Sequence, residues 1–532
     1  MVLFSRDRGI PREKRTDKTP IPSWKLVLDQ GAVTQKVVSH EHAGSGTEED
    51  PFVVAWLNND FRDPMLLSMT RKIMITLIVS FATLVVALAS SAYTGCMKEL
   101  IEDLDVDREV ATLGLSLFVL GFALGPVFWA PLSEVVGRQY PFILSFGAMA
   151  VLLAGCAASP NIECLIVLRF FAGAFGSAPL TNAGGVISDM FPARQRALAL
   201  SLFAAGPFMG PALGPIIGGF LGMAAGWRWV EGFLAALAGF SWLTMALFVP
   251  ETYAPILLRR RAERLSRLTG KVYRARLDMG HRAGLGEVLR KSLSRPWILL
   301  LREPIVLLLS IYIALIYGAL FMTFGAFPIV YQEGRGWNEG VGGLSFLGIM
   351  VGMMLASIYT VYDNQRYLRV FDKHNGFAPP EARLPPVILS SITIPAGLFW
   401  FAWTNSPSIH WIASIAACVP FGFGVILVYL GILSYLIDSY TIFAASVLAA
   451  NSVMRSGFGA IFPLFTTYMY EGLGIHWASS IPAFLTLACV PFPIVLYKKG
   501  QFIRKRCKYA AQSEAYMETL RESANQQSSS KD

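Results

Sequence analysis

Gly206-Pro207-Phe208-Met209-Gly210-Pro211-Ala212-Leu213-Gly214-Pro215-Ile216-Ile217-Gly218-Gly219 is the stretch that decides the fold. It lies inside an apolar run from about 197 to 223, long enough to cross a bilayer as a helix. A spacing of four advances only about 40° around a helix. Gly206, Gly210, Gly214 and Gly218 therefore share one stripe without side chains, against which a second helix can pack closely. Pro207, Pro211 and Pro215 each delete an N–H and crowd the preceding turn, which predicts a bent helix. In water each interior proline costs a helix about 3 kcal/mol. In a membrane, neighbouring helices can re-satisfy the freed carbonyls. The run suits a tight packing helix of any polytopic protein, and more specifically the hinge or seal of a transporter.

Working outward, the 532 residues are 54% hydrophobic and 15% charged, a composition of membrane proteins rather than soluble domains. Apolar runs recur at about 73–95, 109–130, 142–159, 163–188, 197–221 and 229–249. A charged segment over 250–302 follows, and then runs at about 303–331, 340–362, 385–403, 410–437, 442–470 and 477–497. This predicts an all-α integral membrane protein of twelve transmembrane helices in two six-helix halves, 73–249 and 303–497. The remaining parts are a largely disordered cytosolic tail over 1–72, a cytosolic central loop over 250–302 and a cytosolic tail over 498–532. Within the first tail, the more apolar stretch 50–57 suits a position along the membrane surface. The polar, basic start of the chain does not read as a cleavable signal peptide.

Charge placement fixes the orientation. Of the 45 Lys and Arg, only Lys98, Arg108, Arg228 and Arg335 fall in the loops on one side, and Arg169 and Arg455 fall within spans. All others face the opposite side, so both termini are placed in the cytosol. The net charge of +9 is thus topological and not a nucleic-acid footprint. Lipid is the expected surrounding, and plasma membrane the default location.

Charges inside apolar spans are costly and therefore mark function by default. Arg169 stands well within the fourth span and needs a polar cavity or partners, because arginine has no neutral form in proteins. Glu134, Arg138, Asp189 and Arg196, with Gly137 permitting a tight turn, are available to a cytosolic cluster able to latch one conformation. Arg455 lies in span eleven, and Asp438, at the end of span ten, is a candidate partner for it. No carboxylate is singled out at mid-membrane. Tyr317, Phe321 and Phe324, together with Tyr312 and Phe327 on span seven, fit the wall of a cavity for a flat apolar ligand or ordinary packing. Asn182 is a further cavity candidate. The six scattered cysteines show no metal-ligand spacing, and the sequence carries no Walker-type phosphate loop, so neither a metal, a cofactor nor direct ATP use is expected. An embedded enzyme is disfavoured.

These features resemble the major facilitator superfamily. Leu132-Ser133-Glu134-Val135-Val136-Gly137-Arg138 is similar to its motif A, with Ala130, Glu134 and Val135 departing from the usual glycine, aspartate and arginine. The run around Arg169 resembles motif B, to which proton coupling is attributed, and the Gly-Pro run resembles motif C of the antiporter branch. Gly125-Pro126, 131–134, 177–189, Pro250-Glu251-Thr252 and 435–440 look like the fungal twelve-span drug:proton antiporters. The resemblance implies a monomeric exporter of a small amphipathic organic compound, driven by protons through alternating access. On that reading Arg169 organises coupling and Gly206–Gly219 form the hinge and seal. The rivals are an importer of a small nutrient such as a polyamine or vitamin, and a non-transporting membrane receptor.

Overall fold

The computed structural model describes residues 23–276, 285–374 and 378–529. Residues 1–22 and 530–532 of the expected tails lie outside that description, as do 277–284 of the central loop. Among the described residues, eleven continuous apolar helical stretches are long enough to cross a membrane, and the last, Thr441–Arg506, is long enough for two crossings. The first half holds α1 (Met69–Ala92), α2 (Arg108–Val136), α3 (Gln139–Ala157), α4 (Ile162–Met190), α5 (Ala193–Ala225) and α6 (Trp227–Phe248). The second holds α7 (Pro304–Phe327), α8 (Leu347–Lys373), α9 (Pro385–Thr404) and α10 (Trp411–Ser439). The helix Ala444–Ala488 then breaks at Gly474, whose φ of 73° is left-handed. Residues 444–473 form α11, and 475–488 continue through a brief turn into Pro491–Arg506 as α12.

The halves repeat one packing scheme. Helix α1 packs on α5, α2 on α4 and α3 on α6, while α7 packs on α11, α8 on α10 and α9 on α12. Two seams join the halves, α2 with α11 and α5 with α8, and these are themselves related by the repeat.

The opening stretch explains why α1 and α5 pair so closely. A Cβ at Gly206 would stand 2.3 Å from the Ser80 carbonyl oxygen, at Gly210 2.6 Å from the Ala87 Cβ, and at Gly218 2.0 Å from the Ala92 carbonyl oxygen. The stripe is thus filled by the α1 backbone along its whole length. Pro207 cannot donate to the Phe203 carbonyl, and the Ser80 hydroxyl of α1 donates to it instead at 3.2 Å. With that support α5 stays helical from Ala193 to Ala225 through all three prolines.

The tail and central loop depart from expectation. Residues 52–54 form β1 (Phe52–Val54), paired in parallel with β2 (Tyr273–Ala275) of the central loop. A helix over Ala254–Thr269 packs on this pair, and Val37, Val54, Ala262 and Leu265 make a small separate core. Buried Asp60 takes both terminal nitrogens of Arg261, at 2.5 and 2.9 Å. The unit is fastened to the start of α3 by Gln139, which donates to the Val27 carbonyl at 3.0 Å and accepts from Gln30 at 2.9 Å. Local sequence could not announce this order, because each short apolar segment is completed by residues some two hundred positions away.

Candidate functional site

Arg169 is completely buried, and the structure shows what holds it. Its Nε donates to the Gly114 carbonyl of α2 at 2.9 Å, and one Nη donates to the Ala89 carbonyl of α1 at 3.0 Å. The other Nη is paired with Glu231 of α6, which is itself 1% exposed. The guanidinium lies 4.2 Å from the Tyr93 ring centre and 5.0 Å from that of Phe118. One side chain on α4 therefore ties together four helices of the first half. Arg169 faces partners, not an open cavity and not the outer interface.

Glu231 is the residue that sequence reading passed over. A carboxylate inside an apolar run is as costly as a guanidinium, and Glu231 stands two residues inside the run expected over 229–249, so the signal was present. Its second oxygen, Oε2, is buried with no hydrogen-bond partner. Arg169 stands seven residues from the start of α4 and Glu231 four from the start of α6, which places the pair toward the outer side under the charge-based orientation.

The expected cytosolic cluster forms only in part. Arg138 pairs with Asp189 at 3.7 Å and donates to the Ser133 hydroxyl at 2.5 Å. Arg196 turns to the Ser188 carbonyl at 3.3 Å. Glu134, read as the acidic member, is exposed, and Glu251 holds this turn instead. Its carboxylate, 2% exposed, receives the backbone N–H groups of Arg138 at 3.0 Å and Gln139 at 3.1 Å, capping α3, and also those of Thr252 and Tyr253. Gly137 adopts φ 100°, and a Cβ there would stand 2.2 Å from the Glu251 carboxylate. All of these contacts lie within the first half and the start of the central loop that follows it.

In the second half Asp438 pairs with Arg383 at 3.1 Å, which corrects the expected pairing with Arg455. The reason is the repeat: Arg383 precedes α9 and Asp438 ends α10, as Arg138 precedes α3 and Asp189 ends α4. Arg455 instead sits between two rings, 4.6 Å from that of Tyr317 and 5.2 Å from that of Tyr429.

The aromatic residues of α7 form a continuous ladder. Tyr317 packs on Phe321, Phe321 on Phe324, and Phe324 stacks on Phe346. Tyr317 lines a water-sized gap of about 10 Å³ with Phe208 of α5, Ile313 and Ile316 of α7, and Val425, Val428 and Tyr429 of α10. Phe324 lines a second gap, also of about 10 Å³, with Thr94, Pro215, Gln332 and Glu339 among its walls. Phe321 links the two. Asn182 lines neither of these gaps: its side-chain oxygen accepts from Ser133 at 2.9 Å between α2 and α4, and its amide nitrogen is buried without a partner.

The outer side of the halves is closed. A Cβ at Gly219 would stand 2.7 Å from the Glu339 carbonyl oxygen, and one at Gly343 2.6 Å from the Pro215 carbonyl oxygen. Arg108 of α2 donates to Glu333 beyond α7 at 2.7 Å across the same side. The Gly-Pro run thus uses one face against α1 and its outer end against the second half.

This geometry agrees with comparison to known proteins. A Major Facilitator Superfamily model matches residues 79–463. The multidrug transporter mdrA of Aspergillus fumigatus is 63% identical over 527 residues, covering 99% of this chain and 87% of that one. The efflux pump FUBT of Fusarium oxysporum is 48% identical over 513 residues, covering 96% and 86%. Among solved structures, a proton:xylose symporter bound to 6-bromo-6-deoxy-D-glucose superimposes with a TM-score of 0.59 at 14% identity, covering 81% of this chain and 96% of that one, a likeness of fold alone. A repeated six-helix scheme, a buried arginine on the fourth helix and a Gly-Pro fifth helix thus occur in a chain that belongs to the major facilitator superfamily.

Proposed function

We propose that the chain exports a small amphipathic organic compound, a drug, toxin or secondary metabolite, by proton antiport with alternating access. Close relatives named as multidrug and efflux transporters support export. The observation that carries the coupling mechanism is the buried Arg169–Glu231 pair. Glu231 is the proton carrier in this reading. Its protonation removes the charge that holds α6 to Arg169. The guanidinium keeps its bonds to the Gly114 and Ala89 carbonyls and its contacts with Tyr93 and Phe118, so the α6 contact alone is switched. A proton taken up from the outer side as substrate leaves would then bias the return of the halves, and its release to the cytosol would restore the pair. The coupling rests on differential stability of two conformations, which is all a bound proton can supply. The Gly206–Gly219 run serves as hinge and seal, Arg138 with Asp189 as a cytosolic brace, and the α7 ladder as one wall of the substrate route. The protein works as a monomer in the plasma membrane with both termini in the cytosol.

The test uses the full chain in liposomes with an imposed pH gradient. Glu231→Gln is expected to abolish gradient-driven accumulation of a fluorescent amphipathic substrate and to retain substrate–substrate counterflow. Accumulation at the normal rate in that variant refutes Glu231 as carrier. Accumulation that ignores the gradient in the unaltered protein refutes proton antiport.

A further inference from the structure

The central loop enters the second half through a helix, Leu285–Arg302, to which none of the roles above gives a task. It ends one residue before α7, and that joint is fixed. The buried Glu303 carboxylate accepts the Tyr440 hydroxyl at 2.8 Å and the Tyr509 backbone N–H at 2.9 Å. The helix packs against both α2 and α11, so it lies across one seam between the halves. Pro296, Leu299 and Leu300 are buried in this packing. Leu293, Trp297 and Leu301 are instead exposed, Leu301 by 83%, and their spacing of four puts them on one face. Exposed Ile298 broadens that face, and Leu308 is exposed on the second turn of α7 just beyond. Arg295 and Arg302, seven residues apart, share a third face and are both exposed.

A helix with one protein-facing side, one bare apolar side and one basic side suits the boundary between acyl chains and headgroups, where apolar residues sink about 5–10 Å and arginines stay at the phosphates. Its end, one residue from the first turn of a membrane helix, stands at that depth, and tryptophan is enriched there. A guanidinium fork matches a phosphate or carboxylate in a bidentate manner. We infer that this face binds anionic phospholipids, with Leu293, Trp297 and Leu301 in the acyl boundary and Arg295 and Arg302 on the headgroup. Charge complementarity selects the lipid: a zwitterionic headgroup repels the arginines as well as attracting them, whereas an anionic one carries net attraction. The inference goes beyond export and borrows from the proposed orientation only the name of the leaflet, the cytosolic one, where anionic lipids concentrate. Because the helix touches α2 and α11, the lipid is held where, on the proposed alternating access, the halves move against each other.

The experiment reads lipid contact by fluorescence quenching in the full chain, reconstituted in phosphatidylcholine liposomes. A bimane label is attached at Ser294→Cys, an exposed position three and four residues before Trp297 and Ile298 and so on their face. Cys164→Ser removes the single native cysteine that is not buried. The quenchers, at equal mole fraction, are phosphatidylserine and phosphatidylcholine with a nitroxide near the top of one acyl chain. At low salt the serine lipid is expected to associate about fivefold more strongly for each arginine, hence about 25-fold for the two. Arg295→Gln and Arg302→Gln are each expected to lower that ratio about fivefold, and together to bring it near one. Salt at about 1 M, with a screening length of about 3 Å, is expected to lower the ratio with both arginines in place, so the outcome does not hang on a variant that folds. Equal quenching by the two lipids with both arginines present overturns the inference, as does a ratio that survives the double substitution. Absence of quenching by either lipid also overturns it, since another part of the chain or water then covers the face. The readout needs no transport: a lost lipid preference leaves the export reading intact, and failed gradient-driven export leaves the lipid site intact.

Discussion

Adding one methyl group to the Gly-Pro helix is the most direct probe of its role, and Gly218→Ala is the sharpest position for it. The new Cβ would stand 2.0 Å from the Ala92 carbonyl oxygen, a backbone atom with no rotamer to escape through. Carbon–oxygen contacts settle at about 3.3–3.6 Å, so α1 and α5 must separate there by roughly 1.3 Å. Overpacking of this kind costs about 1–3 kcal/mol. The displaced helix also carries Pro215 and Gly219, whose backbones meet Gly343 and Gly340 at the outer seam. If that cost falls on the outward-closed arrangement, the balance between the two faces shifts by about 5- to 150-fold. The assay is export together with proton leak in liposomes, with accessibility of a cysteine placed at position 339, which already carries a side chain, as the report on the outer seam. Gly239→Ala is the control: nothing lies within 4 Å of a Cβ there, and alanine improves the helix by about 1 kcal/mol. The expected result is slowed export, raised leak and greater outer accessibility in Gly218→Ala alone. Identical export, leak and accessibility in the two variants would show that the stripe is not a working interface.

Two further outcomes follow from the cytosolic side. Gly137→Ala must hold alanine at φ 100° and push its Cβ onto the Glu251 carboxylate, which is expected to lower the thermal unfolding midpoint by several degrees, for a cost of roughly 1–3 kcal/mol. Glu134→Ala, at the exposed acid of the motif, is expected to leave that midpoint unchanged, and the reverse order of effects would contradict the capping assignment. Burial acts to raise the Asp60 pKa, but the hydrogen bond and charge of Arg261 outweigh it and hold the carboxyl below its ordinary 3.8. A depressed carboxylate stabilises the folded tail at every pH above 3.8 and loses that contribution only as pH falls through the lower, folded value. Hydrogen exchange at 52–54 and 273–275 should therefore stay slow through the cytosolic range, and Asp60→Asn should speed it at neutral pH by removing one partner of a buried pair, a loss of about 3–5 kcal/mol. Unchanged exchange in that variant would mean that the pair does not hold the tail.

What sequence reading recovered is what hydropathy and charge encode directly. Spans must be apolar and about twenty residues long, and lysine and arginine must stay on one side, so the number of crossings and their order were legible. Arg169 was legible too, as a charge in hydrocarbon. Its carboxylate was not identified, because Glu231 meets it only when α4 and α6 fold together, 62 positions apart. Asp438 was paired with the basic residue nearest in sequence among the spans, whereas the fold offers it Arg383, 55 positions away, at the repeat-related end of α9. The tail was read as disordered because a three-residue strand has no periodicity to detect. Its partner strand lies in another loop, and only the assembled unit buries Val54. Asn182 is answered in part: Ser133 of α2 supplies a partner for its side-chain oxygen, while its amide nitrogen is buried without one.

The two charged sites lie in different halves, and the fold places one short physical route between them. Phe118 of α2 lies over the Arg169 guanidinium. Its neighbour Val119 lies 3.3 Å from where a Cβ would stand on Gly459 of α11, and the same absent Cβ would stand 2.9 Å from the Tyr317 ring. Gly459 is one turn beyond Arg455, whose guanidinium covers that ring. On the proposed coupling, a shift of α2 driven by the state of Glu231 would press on the α2–α11 seam at the level of Tyr317, with no side chain on Gly459 to absorb it. Proximity alone does not establish coupling; a shared two-state element biased from both ends does. The α2–α11 seam has the form the proposed coupling needs, because α2 carries Gly114, whose carbonyl accepts from Arg169, and α11 carries Arg455, whose guanidinium lies over the rings of Tyr317 and Tyr429. Its repeat mate, the α5–α8 seam, holds the Gly-Pro run. On the proposed alternating access, a rocking motion that closes one face would move both seams at once, so the glycine stripe on α5 and the guanidinium on α4 would act on a single motion rather than as separate devices.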